Sequence, residues 1–406
     1  MSQTDKIFES EAFRAAKAYI ENDRAHTLEQ QVELAQIPAH SNHEERKAAR
    51  IAEMIKEAGY NEVITDEVNN VYTIIRGTKG NPRVMITAHS DTVFPLDTDL
   101  TVRRTQDGRI YCPGICDDTR GVAEILSMLR AMKACRIQPV GDIIIGSDVG
   151  EENEGKMRGI KHLCKTVPNI DGYISIDLQG GAGTMVYAGT GSYRYKITFK
   201  GVGGHSFTAF GTPNPAYAMG RAIAAMSTMT VPKTPRTTYN VGVVSGGTAA
   251  TAIPKEVYMC IDLRSNGVGE MEQLKRKVEA IIKTAVEAEN NYWNSEDKVT
   301  YEIELLGELP VAPQKDDHAI VQAGLRSMEL LGIEYKPRPE GAGPTDSNIA
   351  ILNHIPAITL GRGGKGGGGH SLDEWFEPKD EHLGPQRALL TLLTLSGVDG
   401  VSEPVL

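Results

Sequence analysis

Long apolar runs are missing from this chain of 406 residues. A membrane-spanning helix needs roughly 18 or more consecutive apolar residues, so no membrane partner is expected. The first residues, "MSQTDKIFESEAFRAAKAY", have no apolar core of a secretion signal, and the expectation is a cytoplasmic protein. Cysteine is scarce. The five present (Cys112, Cys116, Cys135, Cys164 and Cys260) are odd in number and lack metal-knuckle spacing, which argues against a disulfide framework and a closed structural zinc site. Positive charge is in deficit, with 43 Lys and Arg against 53 Asp and Glu and a formal net charge of −10. That balance argues against a nucleic-acid backbone as partner. Several motifs are also absent. No G-x-G-x-x-G joins a strand to a helix, "GRGGKGG" lacks the first glycine and the Ser/Thr of a phosphate loop, and no G-x-S-x-G elbow occurs.

What is present is a globular composition, 40% hydrophobic and 24% charged. The length is too great for one ordinary core, so two domains are expected. Helices are predicted at "TLEQQVELAQIPAH" and "SNHEERKAARIAEMIKEAG". In the second, Ser41 and Glu44 have capping-box spacing, Ala48, Ile51, Ala52 and Ile55 form an apolar stripe, and Gly59 ends it. Strands at "NVYTIIRG", "RVMITAH", "DIIIGS" and "YISIDL" then alternate with helices at "GVAEILSMLRAMKA" and "RGIKHLCKTV". Continuous apolar strands in such alternation predict an α/β fold, a mainly parallel sheet with helices on both faces. From "SYRYKITFKG" the pattern becomes half-exposed, and the order β-α-β-β-α-β predicts a smaller, ferredoxin-like α+β domain inserted at 191–308. The first domain is then discontinuous, made of 1–190 and 309–406.

Ligands of doubly wound sheets collect outside the carboxyl ends of the strands. Those ends here carry His89 and Asp91, then Asp117 and Asp118, then Glu151 and Glu152, then Asp177; a late glycine-rich loop adds His370. Any one of these is cheaply explained as a structural histidine or a solvated acid. Together they would share one small volume, and carboxylates so crowded require a compensating cation. Histidine and carboxylate ligands suit zinc, with cobalt or manganese as chemical alternatives.

The ordered set "HSD", "DD", "EE" followed by Gly155, then Asp177, "GGHS", "NVGVVSGG…IP", "DLR" and the late histidine resembles the peptidase T, carboxypeptidase G and aminoacylase superfamily of two-zinc hydrolases, nearly end to end. The resemblance implies that His89 and Asp177 bind one zinc, that Glu152 and His370 bind the other, and that Asp117 bridges both. It implies Asp91 as the carboxylate orienting the His89 ring and Glu151 as the catalytic base. It further implies that His205, in "GVGGHSFTAF", stabilises the oxyanion, often across a homodimer formed through the inserted domain, and that Asn240 and Arg264 hold the substrate. A surface salt bridge to Asp262 is the competing reading of Arg264, and a strand-end role that of Asn240.

There are departures. Arg120 stands displaced from the usual basic residue after the bridging acid, and Cys116 replaces a small residue, where its thiol is a stray ligand or an oxidation target. In "GAGPTDSNIA", Pro344 departs from the peptidase T-like segment. Asp177 and that segment lean towards an exopeptidase acting on short peptides. An N-acyl-amino-acid deacylase or carboxypeptidase would use the same ligands. A non-catalytic binding protein of this fold is the reading from another class; it predicts an eroded ligand set, whereas every implied ligand and the base are present.

Overall fold

Four apolar strands form the frame of the first unit: Gly80–His89, Gly141–Asp148, Gly172–Leu178 and Ala357–Gly361. Successive side chains of a strand point to opposite faces. In the last seven residues of the first strand and throughout the second, nearly every position is buried, so both faces must be covered. A computed structural model shows how; it describes residues 1–293, 295–337 and 345–406, apart from the side chain of Asn153, so that Pro344 lies outside the described residues. The Gly80–His89 strand pairs in parallel with both Gly141–Asp148 and Gly172–Leu178, and Ala357–Gly361 continues the parallel run. Short strands extend the sheet to eight: Val63–Thr65 and Val71–Ile75 at one edge, Thr184–Val186 and Lys336–Pro337 at the other. Helices Thr119–Ala134 and Leu383–Ser396 pack on each other and on the central strands; Arg158–Thr166 and Asp346–Leu352 form a second pair. This is the mainly parallel α/β sheet expected from the apolar runs. No helix among the described residues is long and apolar enough to cross a membrane.

Helices Gln3–Glu9 and Glu11–Asn22, which the sequence reading left unassigned, bring Ile7, Phe13, Ala16 and Ile20 into the main core. The capping box is a correction. The helix spans Glu45–Glu57 with Glu44 at its N-cap and no side-chain cap bond. The Ser41 hydroxyl instead donates to Asp91 Oδ2 at 2.6 Å, and the buried Glu44 carboxylate pairs with Arg158. Both side chains are drawn towards stronger, charged partners than a helix end offers.

The second unit, Gly189–Pro313, is a four-stranded antiparallel sheet in the order Thr237–Gly246, Glu256–Ser265, Gly191–Lys200, Thr300–Leu309. Helices Pro215–Ser227 and Val268–Trp293 cover one face. Their Ala218, Ala222, Leu274, Val278 and Ile282 bury Ile197, Phe199, Met259, Ile261 and Leu263 of the strands. The chain enters and leaves this unit at one point, because Gly189 and Ala312 exchange backbone hydrogen bonds of 2.7 and 3.0 Å.

Candidate metal centre and active site

The parallel strands deliver their chemistry at their carboxyl ends. His89 is the last residue of its strand and is 1% exposed. Its Nδ1 lies 3.1 Å from the Asp91 carbonyl and 3.3 Å from Asp91 Oδ1, which fixes the ring. Its Nε2 then faces Asp117 Oδ1 at 3.3 Å and Asp177 Oδ1 at 3.6 Å. That nitrogen is buried without a hydrogen-bond partner. A buried, unpartnered imidazole nitrogen aimed at two carboxylates is the donor arrangement that a metal ion completes. On the other side, His370 Nε2 lies 2.9 Å from Glu152 Oε1 and 3.4 Å from Asp117 Oδ2. Asp117 thus turns one oxygen to each histidine. His89, Asp117 and Glu152 converge within 4.8 Å, as do His89, Asp118 and Asp177. The expected ligands His89, Asp117, Glu152, Asp177 and His370 are therefore brought together, and the donor set fits a pair of divalent ions.

Asp91 is the joint that holds this geometry. It is fully buried and accepts the backbone N–H groups of Glu151 at 3.0 Å and Glu152 at 3.1 Å, besides the Ser41 hydroxyl. One carboxylate therefore orients both the His89 ring and the turn carrying the adjacent glutamates. The Glu44–Arg158 pair fastens the far side of that turn, where Arg158 N–H donates to the Gly150 carbonyl at 3.3 Å. The loop before Asp117 is fastened by Glu374, whose carboxylate accepts N–H groups from Gly114, Cys116 and Asp117. Glu374 follows His370 by four residues, so it ties the two ligand-bearing loops together. His370 itself has φ +63°, a left-handed conformation uncommon outside glycine.

The electrostatics show the demand for positive charge. Burial pushes Glu152 up to about 7, with Asp117 and Asp177 adding to it. Burial, then Asp177 and Glu152, hold Glu151 well above the usual carboxylate range. For His89, burial opposes protonation, but Asp117, Asp177 and Asp91 outweigh it and hold the ring well above its ordinary value. The hydrogen bond to Asp117 raises His370 to about 9 despite partial burial. Glu151, Glu152 and both histidines are held up while, against burial, Arg362 and the two histidines hold Asp117 well below the usual carboxylate range, a charge pattern that suits cation binding.

Arg362 and Asp148 escaped the sequence reading, and Asp118, Arg120 and Cys116 gain their contacts only in the structure. Arg362, 3% exposed, sets its guanidinium 3.0 Å from Asp117, 3.0 Å from Asp118 and 2.9 Å from Asp177. An arginine in a glycine-rich loop gives no sequence signal. Asp118 is fully buried; it caps the Thr119–Ala134 helix and accepts the His89 N–H. Deeper in, burial raises both Asp148 and Asp346, and the charge of Asp148 adds to the rise at Asp346. Arg120 points elsewhere, to Glu124, Gln31 and the Glu381 carbonyl. The Cys116 thiol is buried and pushed up to about 12 by desolvation, which leaves it a packing group rather than a ready ligand.

His205, Asn240 and Arg264 all lie in the second unit. His205 is exposed, and its Nδ1 accepts N–H bonds from Phe207 at 3.3 Å and Thr208 at 3.5 Å. Asn240 is exposed on the Thr237–Gly246 strand. Arg264 Nε lies 2.8 Å from Asp262 Oδ2, the salt bridge weighed against a substrate role.

A parallel sheet ending in this histidine–carboxylate cluster defines a metal-dependent hydrolase. The model of peptidase family M20/M25/M40 matches residues 85–395, and the chain belongs to that family. Uncharacterized protein YqjE of Bacillus subtilis (strain 168) is 24% identical over 348 residues, 83% of this chain and 90% of that protein. A succinyl-diaminopimelate desuccinylase of Rickettsia bellii (strain RML369-C) is 22% identical over 334 residues, 77% of this chain and 82% of its own. A tripeptidase structure from Staphylococcus aureus subsp. aureus Mu50 superimposes with a TM-score of 0.76 at 24% identity, covering 91% of this chain and 97% of that one. YXEP of Bacillus subtilis, described as a dinuclear metal-binding peptidase, gives 0.71 at 15% identity, covering 93% and 99%. At such identities the structural matches speak for the fold alone.

Proposed function

We propose that the protein is a two-zinc exopeptidase that hydrolyses the amide bond of short peptides, with Glu151 as its base. The observation that carries this reading is the Asp91 joint, which fixes His89 and the Glu151–Glu152 turn through one carboxylate. His89 and Asp177 would hold one ion and Glu152 and His370 the other, with Asp117 serving both. When bound, the ions polarise the scissile carbonyl and acidify the attacking water. Glu151, a neighbour of the ligand Glu152 but not itself a ligand, takes the water's proton and passes it to the leaving amine. Burial raises its carboxyl well above the usual carboxylate range, and a cation at the cluster would lower it again, which would free Glu151 to accept a proton when the site is loaded. His205 stabilises the oxyanion, contributed by the partner of a homodimer paired through the inserted domain. Asn240 and Arg264 hold the substrate, Arg264 dividing its donors between Asp262 and a substrate carboxylate.

The test is a hydrolysis screen of the zinc-loaded protein with di- and tripeptides, free or blocked at either end, beside N-acyl amino acids. Cleavage that requires a free amine supports the exopeptidase. The similarity to a desuccinylase favours a second reading, an N-acyl-amino-acid deacylase, and preference for acylated substrates with a free carboxylate would establish it instead.

A further inference from the structure

The reaction outlined above has no part for Arg362, although that residue meets the ligands directly. It follows the Ala357–Gly361 strand, and the carbonyls of Cys116 and Asp177 accept from its guanidinium at 2.6 and 2.9 Å. These backbone acceptors fix the group in place, and a guanidinium keeps its charge at any working pH. Its Nη2 contacts Asp117 Oδ1 at 3.0 Å and Asp177 Oδ1 at 2.9 Å. The same two oxygens face the unpartnered His89 Nε2 at 3.3 and 3.6 Å. Each oxygen is therefore shared between an immobile organic cation and the position a metal would take.

Two consequences follow from that sharing. One nitrogen, Nη2, donates to both carboxylates and keeps Asp117 and Asp177 converged whether or not an ion is present, because the carbonyls of Cys116 and Asp177 hold the planar guanidinium in place. The fixed positive charge also opposes a divalent ion held by the same oxygens, and does so strongly because the group is shielded from water. We propose that Arg362 is a resident counter-ion of the metal centre, a positioning residue that preserves the ligand geometry of the empty site and weakens its hold on the ion at His89, Asp117 and Asp177. The inference rests on reading the cluster as a metal centre, and it gives this enzyme a site that survives loss of metal and reloads without rebuilding.

The experiment compares metal-stripped wild type, Arg362→Met and Arg362→Lys. Zinc affinity is read by competition with a chromophoric chelator, and thermal midpoints are taken with and without zinc. Stripped Arg362→Met should melt below stripped wild type, and zinc should close most of that gap. Its tighter-binding site should hold zinc at least tenfold more tightly than the corresponding wild-type site, with Arg362→Lys, which keeps charge but loses the planar group and its backbone anchors, in between. A melting deficit that is the same with and without zinc, at unchanged affinity, would reduce Arg362 to a packing residue. Looser zinc binding in Arg362→Met would also overturn the proposal, since the arginine would then assist the ion rather than oppose it. If Arg362→Met does not fold, the lysine variant decides by the same comparison with wild type. Wild type that takes up no zinc would sink the metal reading itself, and this inference with it.

Discussion

Two neighbouring glutamates would repel each other in isolation, and the separate tasks proposed for them would explain the pairing. Glu152 turns to His370 at 2.9 Å, while Asp91 anchors the backbone of both residues. Glu151→Gln keeps the shape and removes the proton acceptor. Turnover should fall by about 10²–10⁴-fold or more with metal content near wild type, measured by steady-state kinetics beside elemental analysis. A mutant that keeps wild-type turnover would remove Glu151 from the base role. His370→Ala should lose one of two ions, and unchanged stoichiometry would contradict its place as a ligand. Asp91→Asn puts an amide among N–H and O–H donors, so metal affinity should drop by about 10–100-fold, read by chelator competition. The titratable residues of the site were legible because the sequence offers their acids and histidines at successive strand ends. Arg362 was not, since its meaning comes only from the contact that the loop folds it into. Ser41 and Glu44 misled for a related reason: their spacing suits a helix cap, but buried Asp91 and Arg158 bind them more strongly.

At the scale of elements, the apolar runs announced the Gly80–His89, Gly141–Asp148 and Gly172–Leu178 strands, because burial on both faces leaves little freedom in composition, whereas the short Ala357–Gly361 strand went unassigned. The turns between them were less legible, being shaped by close contacts that composition does not record. The turn after the Gly141–Asp148 strand is the clearest case. A side chain at Gly155 would come within 2.3 Å of the Gly150 Cα and 2.5 Å of its carbonyl, backbone that cannot rotate aside. Gly155→Ala must therefore push apart the two ends of the segment that presents Glu151 and Glu152. Such overpacking costs about 1–3 kcal/mol, and its structural effect falls on the ligand turn rather than on the distant core. The variant should melt a few degrees lower and lose most of its activity, with weaker metal retention after dialysis. Full activity at a lowered midpoint would show that the turn tolerates the shift.

For the whole molecule, the decisive feature is the self-sufficiency of the Gly189–Pro313 unit. Its strands and helices bury one another in a core of their own, and its two ends meet at the Gly189–Ala312 bridge. An insertion joined at one point asks nothing of its host for folding, so the segment 189–313 expressed alone should fold cooperatively. Its Thr237–Gly246 strand lies at the edge of the sheet, with Val243 and Val244 45% and 56% exposed. An open edge with apolar side chains is a template for pairing with another strand. If two copies pair there, as the proposed function requires for His205 to act across the interface, sedimentation should give a dimer for the full chain and for the isolated segment. Val244→Lys places a charge on that edge and should shift both towards monomer. Activity should then fall with the dimer fraction and recover as protein concentration rises. A monomeric Val244→Lys protein with undiminished turnover would show instead that each chain works alone, and would confine His205 to its own subunit.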